Sequence, residues 1–218
     1  MRTKRFGFIA VSAVASALIL TACNPEDEGA AVGGSGAAST PAASASSSMD
    51  MGNGTTAAEG VWDKNEAGAT FFGSVLNGTN EVPVAGGPAT GDKDGHALGL
   101  MRIQGNKVSY AFAFTGIDTP TLGHLHKGPK GVNGDVKIPF FMKKLADGNK
   151  FTLGTVTVND QSLLDSIKAD PAGFYFNLHT AEFPGGATRG QAYKIPSSVH
   201  VPDHMNEAAL NSVVQLNK

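Results

Sequence analysis

The feature that most constrains the fold of this chain is a series of short apolar runs, starting at Ala69, that Gly, Pro, Asn and Asp residues interrupt. Short runs of continuous or alternating hydrophobicity are typical of β-strands, in which successive side chains point to opposite faces. Turn sequences such as Gly105-Asn106 and Gly148-Asn149 suit hairpins between them. The pattern predicts strands at residues 70–76, 96–103, 107–114, 122–126, 136–141, 151–158, 174–179 and 189–195. About eight short strands at this spacing predict an all-β fold, an antiparallel Greek-key sandwich or barrel.

One segment of this region departs from the β pattern and predicts a short helix. Asn159 or Asp160 can cap it, and Pro171 follows at its end. Leu164 and Ile167 fall on one face at helical spacing, as expected for a helix that packs against a core.

Composition divides the chain near residue 66. Residues 24–66 are dominated by Ala, Ser, Gly, Thr and Pro with scattered acids, whereas most of the aromatic residues follow. Such a segment cannot bury enough apolar surface to offset the entropy lost on ordering. The sequence therefore predicts a disordered tether over 24–66 and a folded domain over 67–196. A tail over 197–218 follows, in which Asp203 can cap a short helix at 204–216.

The first 23 residues have the layout of a secretory signal peptide, with a basic start, an apolar run and small residues before Cys23. The sequence Leu-Thr-Ala-Cys at 20–23 resembles the bacterial lipobox, in which the cysteine is lipidated and becomes the new N-terminus. This resemblance implies that acyl chains on Cys23 anchor the protein in a membrane. Asn24 after the cysteine resembles outer-membrane lipoproteins. The predicted location is the bacterial cell envelope, with the domain facing the periplasm or the cell surface.

Charge and cysteine content narrow the remaining possibilities. The formal net charge is −2, and no basic stripe follows the first five residues, which argues against a nucleic-acid partner. Cys23 is the single cysteine, so no internal disulfide can form and the domain depends on its core or on a metal. The sequence identifies no protein partner.

Three histidines are the candidate metal ligands. His124 and His126 share one face of a predicted strand, and His179 ends another. If these strands are neighbours, three imidazoles converge. Neutral imidazole suits copper, zinc, nickel or iron, and three imidazoles in a T-shaped or trigonal arrangement suit copper in particular. A copper ion is therefore the predicted cofactor, and His96, which opens a strand, is the candidate fourth ligand.

The same histidines allow a purely structural interpretation. His124 and His126 could hydrogen-bond to loop backbone around residues 128–134, and His179 could do the same at its strand end. A metal site would need acceptors that orient the rings, and the nearest polar residues in sequence are Asn177, Thr180 and Glu182.

Four motifs in order resemble the chordin-type (CHRD) domain: LNGTNEVP at 76–83, HLHKG at 124–128, YFNLHT at 175–180 and FPGGATRGQ at 183–191. The resemblance implies an immunoglobulin-like β fold in a secreted protein, without an assigned reaction.

A fainter resemblance is to the copper/zinc superoxide dismutases, which are eight-stranded β-sandwiches. The order of His124, His126, His179 and Arg189 is similar to their copper histidines and to the arginine that guides the anion. The bridging histidine and the zinc loop of those enzymes have no counterpart here.

The function predicted from these observations is transition-metal binding, copper first, by a membrane-anchored extracytoplasmic CHRD domain. Two alternatives remain open. One is a copper redox enzyme similar to superoxide dismutase, in which Arg189 steers the anion. The other is a metal-free adhesion or assembly module in which the histidines only brace loops.

Overall fold

The structure is a computed structural model that describes residues 59–61 and 68–215. The predictions for the signal peptide, for Cys23 and for most of the tether lie outside these residues. The described strands are β1 Glu59–Val61, β2 Thr70–Asn77, β3 His96–Gln104, β4 Lys107–Thr115, β5 Leu122–Lys127, β6 Val136–Phe141, β7 Phe151–Thr157, β8 Phe174–His179, β9 Thr188–Gln191, β10 Tyr193–Lys194 and β11 His204–Asn206. The described α-helices are α1 Gln161–Ala169 and α2 Glu207–Gln215.

Nine of these strands form one antiparallel sheet. Its order is β6-β5-β8-β9-β2-β3-β4-β7, and β10 also pairs with β2. The end strands β6 and β7 contact each other, so the sheet curls into a nearly closed barrel. The predicted all-β, antiparallel fold is confirmed. Among the described residues, no helix has the length and hydrophobicity needed to cross a bilayer.

The interior of the barrel is aromatic. Phe112 lies 5.6 Å from Phe140 and 5.9 Å from Phe176 between ring centroids, and both pairs are edge-to-face. These rings come from β4, β6 and β8, so the contacts join strands that are distant in the sequence. α1 adds Leu164 and Ile167 to this core. The side chain of Asp160 caps α1 by accepting a hydrogen bond from the backbone N–H of Leu163, at 3.0 Å.

A second apolar layer lies outside the barrel wall. α2 and the segment before it bury Met205, Leu210 and Val214 against Leu100 and Phe151 of the sheet. The hydroxyl of Tyr193 donates to the carbonyl oxygen of Val214 at 2.6 Å. The C-terminal tail is therefore docked on the domain.

The ends of the domain differ from the sequence-based expectation. The predicted tail helix at 204–216 begins later, because residues 204–206 form β11, which pairs with β1. β1 itself lies within the segment predicted to be a disordered tether. Asn206 rather than Asp203 caps α2, since its side-chain oxygen accepts from the N–H of Ala209 at 2.9 Å.

The predicted strand at 189–195 is two strands, because the chain changes neighbours at Ala192. β9 pairs with β8 and, at Arg189, also with β2, whereas β10 pairs with β2 at Gly73 and Phe72. The N–H of Ala192 bonds to the carbonyl of Phe174 at 2.9 Å between them.

Candidate metal centre

Three histidines meet on the outer face of the barrel wall. β5 lies beside β8, and in their register His179 pairs with Leu122, two positions from His124. The side chain of Leu125 packs in the core, so strand alternation directs His124 and His126 outward. The structure brings His124, His126 and His179 together, and one ligand nitrogen from each lies within 4.8 Å of the others.

These three side chains are buried although they lie outside the barrel. Their exposed fractions are 5 % for His124, 9 % for His126 and 8 % for His179. The loop between β5 and β6 contacts His126, and the loop between β8 and β9 contacts His179. The ring centroids are 5.0 to 6.2 Å apart, so loops and neighbouring rings replace most of the water around the imidazoles.

Two of the rings are held by backbone carbonyls. Nδ1 of His126 donates to the carbonyl oxygen of Gly134 at 2.9 Å, and Nδ1 of His179 donates to the carbonyl oxygen of Pro184 at 3.0 Å. In a neutral imidazole the other nitrogen, Nε2, then carries a lone pair. The same N–H to carbonyl contact orients histidines that bind metals.

The third ring, His124, carries one proton when neutral, and that proton cannot form hydrogen bonds to both of its neighbours. Its Nδ1 lies 3.2 Å from Nε2 of His179, and its Nε2 lies 3.1 Å from Sδ of Met142. A proton on Nδ1 leaves the Nε2 lone pair against a thioether, which has no proton to donate. A proton on Nε2 leaves two nitrogen lone pairs facing each other across 3.2 Å. Nε2 of His126 is buried without a hydrogen-bond partner as well.

Protonation does not relieve this arrangement at neutral pH. Burial, together with the smaller effect of the neighbouring imidazoles of His179 and His126, lowers the pKa of His124 to about 3. Burial also lowers the pKa of His126 and of His179, although the hydrogen bonds to the loop carbonyls act in the opposite direction. The three rings are therefore neutral, which is the form that binds metal ions.

The polar residues expected to orient the rings have other roles. Asn177 donates to Oε2 of Glu81 at 3.3 Å, Thr180 accepts from the N–H of Phe183 at 3.1 Å, and Glu182 is exposed. Backbone carbonyls orient two of the rings instead, as the structural interpretation of the histidines expected for the loop at 128–134. Those bonds use the Nδ1 atoms and leave the Nε2 atoms of the two rings unprotonated, so bracing and metal binding are compatible.

Arg189 is a clamp on the loop that covers His126. Its guanidinium donates to the side-chain oxygen of Asn133 at 3.0 Å and to the carbonyls of Pro129 and Val132 at 3.0 and 2.8 Å. It also lies 3.5 Å from the centre of the Tyr175 ring. With an exposed fraction of 1 %, Arg189 faces loop oxygens rather than solvent, and does not stand where an incoming anion would meet it.

Tyr175 connects this clamp to the histidines. Its ring stacks on His126, with centroids 4.8 Å apart and planes inclined by 11°. Its hydroxyl accepts from the N–H of Gly134 at 3.2 Å. Gly134 is the residue whose carbonyl holds His126, so Arg189, Tyr175 and Gly134 together fix the position of that ring.

His96 does not join the other three histidines. It is exposed at the start of β3, where Nδ1 lies 2.8 Å from the side-chain oxygen of Asn77. The sequence suggested it as a fourth ligand from spacing alone, and the described residues place it in the ladder between β2 and β3 instead.

Met142 is the residue at the centre that sequence reasoning missed. It follows β6 directly and is 47 % exposed, and nothing in its sequence context distinguishes it. Glu81 lies in one of the four motifs and accepts a hydrogen bond from Asn177, but it is not one of the clustered residues. Burial raises its pKa to about 7, against the lowering effects of Arg189 and of the hydrogen bond from Asn177.

Comparison with known proteins supports the resemblance carried by the four motifs. No curated protein and no solved structure matched the chain. A family model described as the CHRD domain matches residues 72–192, which is more than half of the 218 residues. The matched region runs from within β2 past the end of β9 and includes all three clustered histidines. The chain therefore belongs to the CHRD-domain family.

Proposed function

We propose that this CHRD domain binds one transition-metal ion, copper in preference to others, through His124, His126 and His179. The observation that carries the proposal is the proton count of the three rings. Two Nδ1 protons are committed to loop carbonyls, and the remaining proton, on His124, cannot satisfy both of its neighbours. Buried polar groups without a partner destabilise a fold unless something compensates them. A cation that accepts several lone pairs supplies that compensation.

Copper is favoured by the chemistry of the donors. The three donors are neutral nitrogens, and the described residues contribute no carboxylate or thiolate to the group. Imidazole ligands suit copper, zinc, nickel and iron, and for a given nitrogen site affinity among divalent ions rises to copper and falls again at zinc. Three imidazoles also leave room for a further ligand.

Binding is a better description than turnover. The dismutase alternative needs an arginine open to an incoming anion, whereas Arg189 is buried and bonded to the loop at 129–133. The adhesion alternative treats the histidines as braces. It accounts for the two Nδ1 bonds but not for the unsatisfied lone pair of His124, which lies between His179 and Met142, nor for the unpartnered Nε2 of His126.

The location of this binding domain is part of the proposal. A lipid anchor on Cys23 would hold the domain at the bacterial envelope, outside the cytoplasm. The support is the signal-like N-terminus and the lipobox resemblance. Radiolabelled palmitate should enter the wild-type protein in a bacterial host, and Cys23→Ser should abolish both the label and recovery in the membrane fraction. Equal labelling of the two proteins would contradict the anchor.

Metal binding is tested with the full chain in mild detergent, with Cys23→Ser in every variant so that no thiol competes for the metal. After dialysis against chelator, we expect titration to give one equivalent of Cu(II). His124→Ala should abolish stoichiometric binding. His96→Ala is the matched control, because it removes an exposed histidine outside the group. The proposal fails if the parent protein binds no metal, or if the His124 and His96 variants bind equally well.

A further inference from the structure

The second nitrogen of His124 faces a methionine, and this contact extends the centre beyond its three histidines. Nε2 of His124 lies 3.1 Å from Sδ of Met142. Met142 follows Phe141, which is 3 % exposed and packed in the core, whereas Met142 is 47 % exposed. Its backbone is therefore held at the end of β6, while the unbranched side chain has room to adjust at the solvent side of the centre.

His124 is also the one of the three rings that no backbone carbonyl holds. His126 and His179 are bonded to backbone carbonyls, but both nitrogens of His124 face side chains. Nδ1 faces His179 and Nε2 faces Met142, so the Cε1 atom between them lies on the ring edge that faces both partners. A half-turn about the Cβ–Cγ bond exchanges Cε1 with Nε2. One nitrogen then points between the sulfur and the other imidazoles.

The separations suit donors to a common ion. A nitrogen about 2.0 Å and a sulfur about 2.3 Å from one metal ion lie roughly 3 to 4 Å apart for bond angles between 90° and tetrahedral. The observed contact of 3.1 Å between Nε2 of His124 and the sulfur of Met142 is in this range. The 3.2 Å contact with His179 is made by the other nitrogen, Nδ1, so a single nitrogen of His124 serves both partners only after the half-turn.

We propose that Met142 is the fourth ligand and that the resulting set of three imidazoles and one thioether binds copper in its cuprous state. This inference rests on the proposed metal-binding function and adds the oxidation state to it. Thioether sulfur is a soft donor that selects Cu(I). All four donors are neutral, so the site does not offset the charge of a divalent ion, and the cost of burying an ion rises steeply with its charge. The guanidinium of Arg189, which stacks behind Tyr175 and His126, adds positive charge near the site.

The test compares Met142→Leu with the parent in the full chain, both carrying Cys23→Ser. Cu(I) affinity is measured without oxygen by competition with bicinchoninate, and Cu(II) and Zn(II) affinities are measured in parallel. We expect Met142→Leu to weaken Cu(I) binding by at least about tenfold, the effect of losing one weak ligand. The Cu(II) and Zn(II) affinities should stay within about twofold, since imidazole nitrogens dominate their binding. Val84→Leu, an exposed aliphatic change at 62 % exposure, is the matched control and should alter none of them.

X-ray absorption of the Cu(I)-loaded proteins detects the atoms bonded to copper, and a change in packing alone would not alter them. The parent should show a sulfur atom in the copper shell, and Met142→Leu should lose it while keeping the nitrogen shell. Unchanged Cu(I) affinity in Met142→Leu, or a parent spectrum without sulfur, would overturn the inference and leave the three-histidine site intact. A parent that binds no metal in any state would instead overturn the proposed function itself. Thermal melting of the variant, expected to match that of the parent, verifies that folding is unaffected.

Discussion

Replacing Arg189 by glutamine should loosen the loop over His126 and reduce both stability and metal affinity. The guanidinium makes three hydrogen bonds of 2.8 to 3.0 Å to loop oxygens and one cation–π contact of 3.5 Å with Tyr175. A hydrogen bond from a charged donor contributes about 1.5–3 kcal/mol, and a cation–π contact contributes about 1 kcal/mol. The loop oxygens can rebind water, and glutamine can retain one bond. We therefore expect a loss of about 3 kcal/mol in unfolding free energy.

The same substitution should weaken metal binding although Arg189 is not a ligand. The loop it holds carries Gly134, whose carbonyl orients the ring of His126. Loss of such an outer contact typically costs about 10–100-fold in metal affinity.

Urea unfolding of the metal-free protein and Cu(II) titration measure the two effects separately. Lys130→Gln is the matched control, because Lys130 is an exposed cation in the same loop and should change neither quantity measurably. Arg189→Lys keeps the charge but not the planar fork, so it should lose most of the stability that Arg189→Gln loses. A stability within about 1 kcal/mol of wild type for Arg189→Gln, together with unchanged copper affinity, would refute the clamp.

Two further predictions concern acid and the tail. Because the folded state lowers the pKa of His124, His126 and His179, the unfolded chain binds more protons below about pH 6.5, the ordinary histidine pKa. Stability from this source is therefore complete above that pH and is lost as the pH falls towards about 3, the folded pKa of His124. The urea midpoint of the parent should be lower at pH 5 than at pH 7.5, and this difference should be smaller in His124→Gln. An equal difference in the two proteins would contradict the assignment of the effect to His124. Leu210→Ala should cost about 2–5 kcal/mol, because the side chain of Leu210 in α2 is fully buried, without changing copper affinity. A loss in calorimetric stability below about 1 kcal/mol would indicate that the tail does not dock.

The strands could be predicted because their signal is local. Alternation and turn residues lie within a few positions of one another, so the strand at 136–141 and the shared face of His124 and His126 follow from the sequence. The approach of His179 required the pairing of β5 with β8, which joins residues about fifty positions apart. The sequence could therefore predict the convergence of the three histidines only on the condition that these two strands are neighbours.

Other features had no local signal. The strand β11 exists because β1 pairs with it, and neither segment has enough hydrophobic alternation to be recognised alone. Met142 reaches His124 because irregular pairing between β5 and β6 sets the end of β6 beside Gly123. Two of the hydrogen bonds of Arg189 are to backbone carbonyls, which every residue possesses. Sequence spacing therefore suggested an anion guide, while the folded loop uses the arginine as a clamp.

Different parts of the chain hold the candidate centre and the core of the barrel. Most apolar side chains of the core cluster come from β2 to β8 and α1, and none of the three histidines belongs to it. The three histidine rings project from β5 and β8, and two of them are oriented by the loop carbonyls of Gly134 and Pro184, the first in the loop that Arg189 holds. Metal affinity in this domain should therefore respond to loop substitutions that leave the barrel folded, whereas core substitutions should lower stability before they alter the ligands.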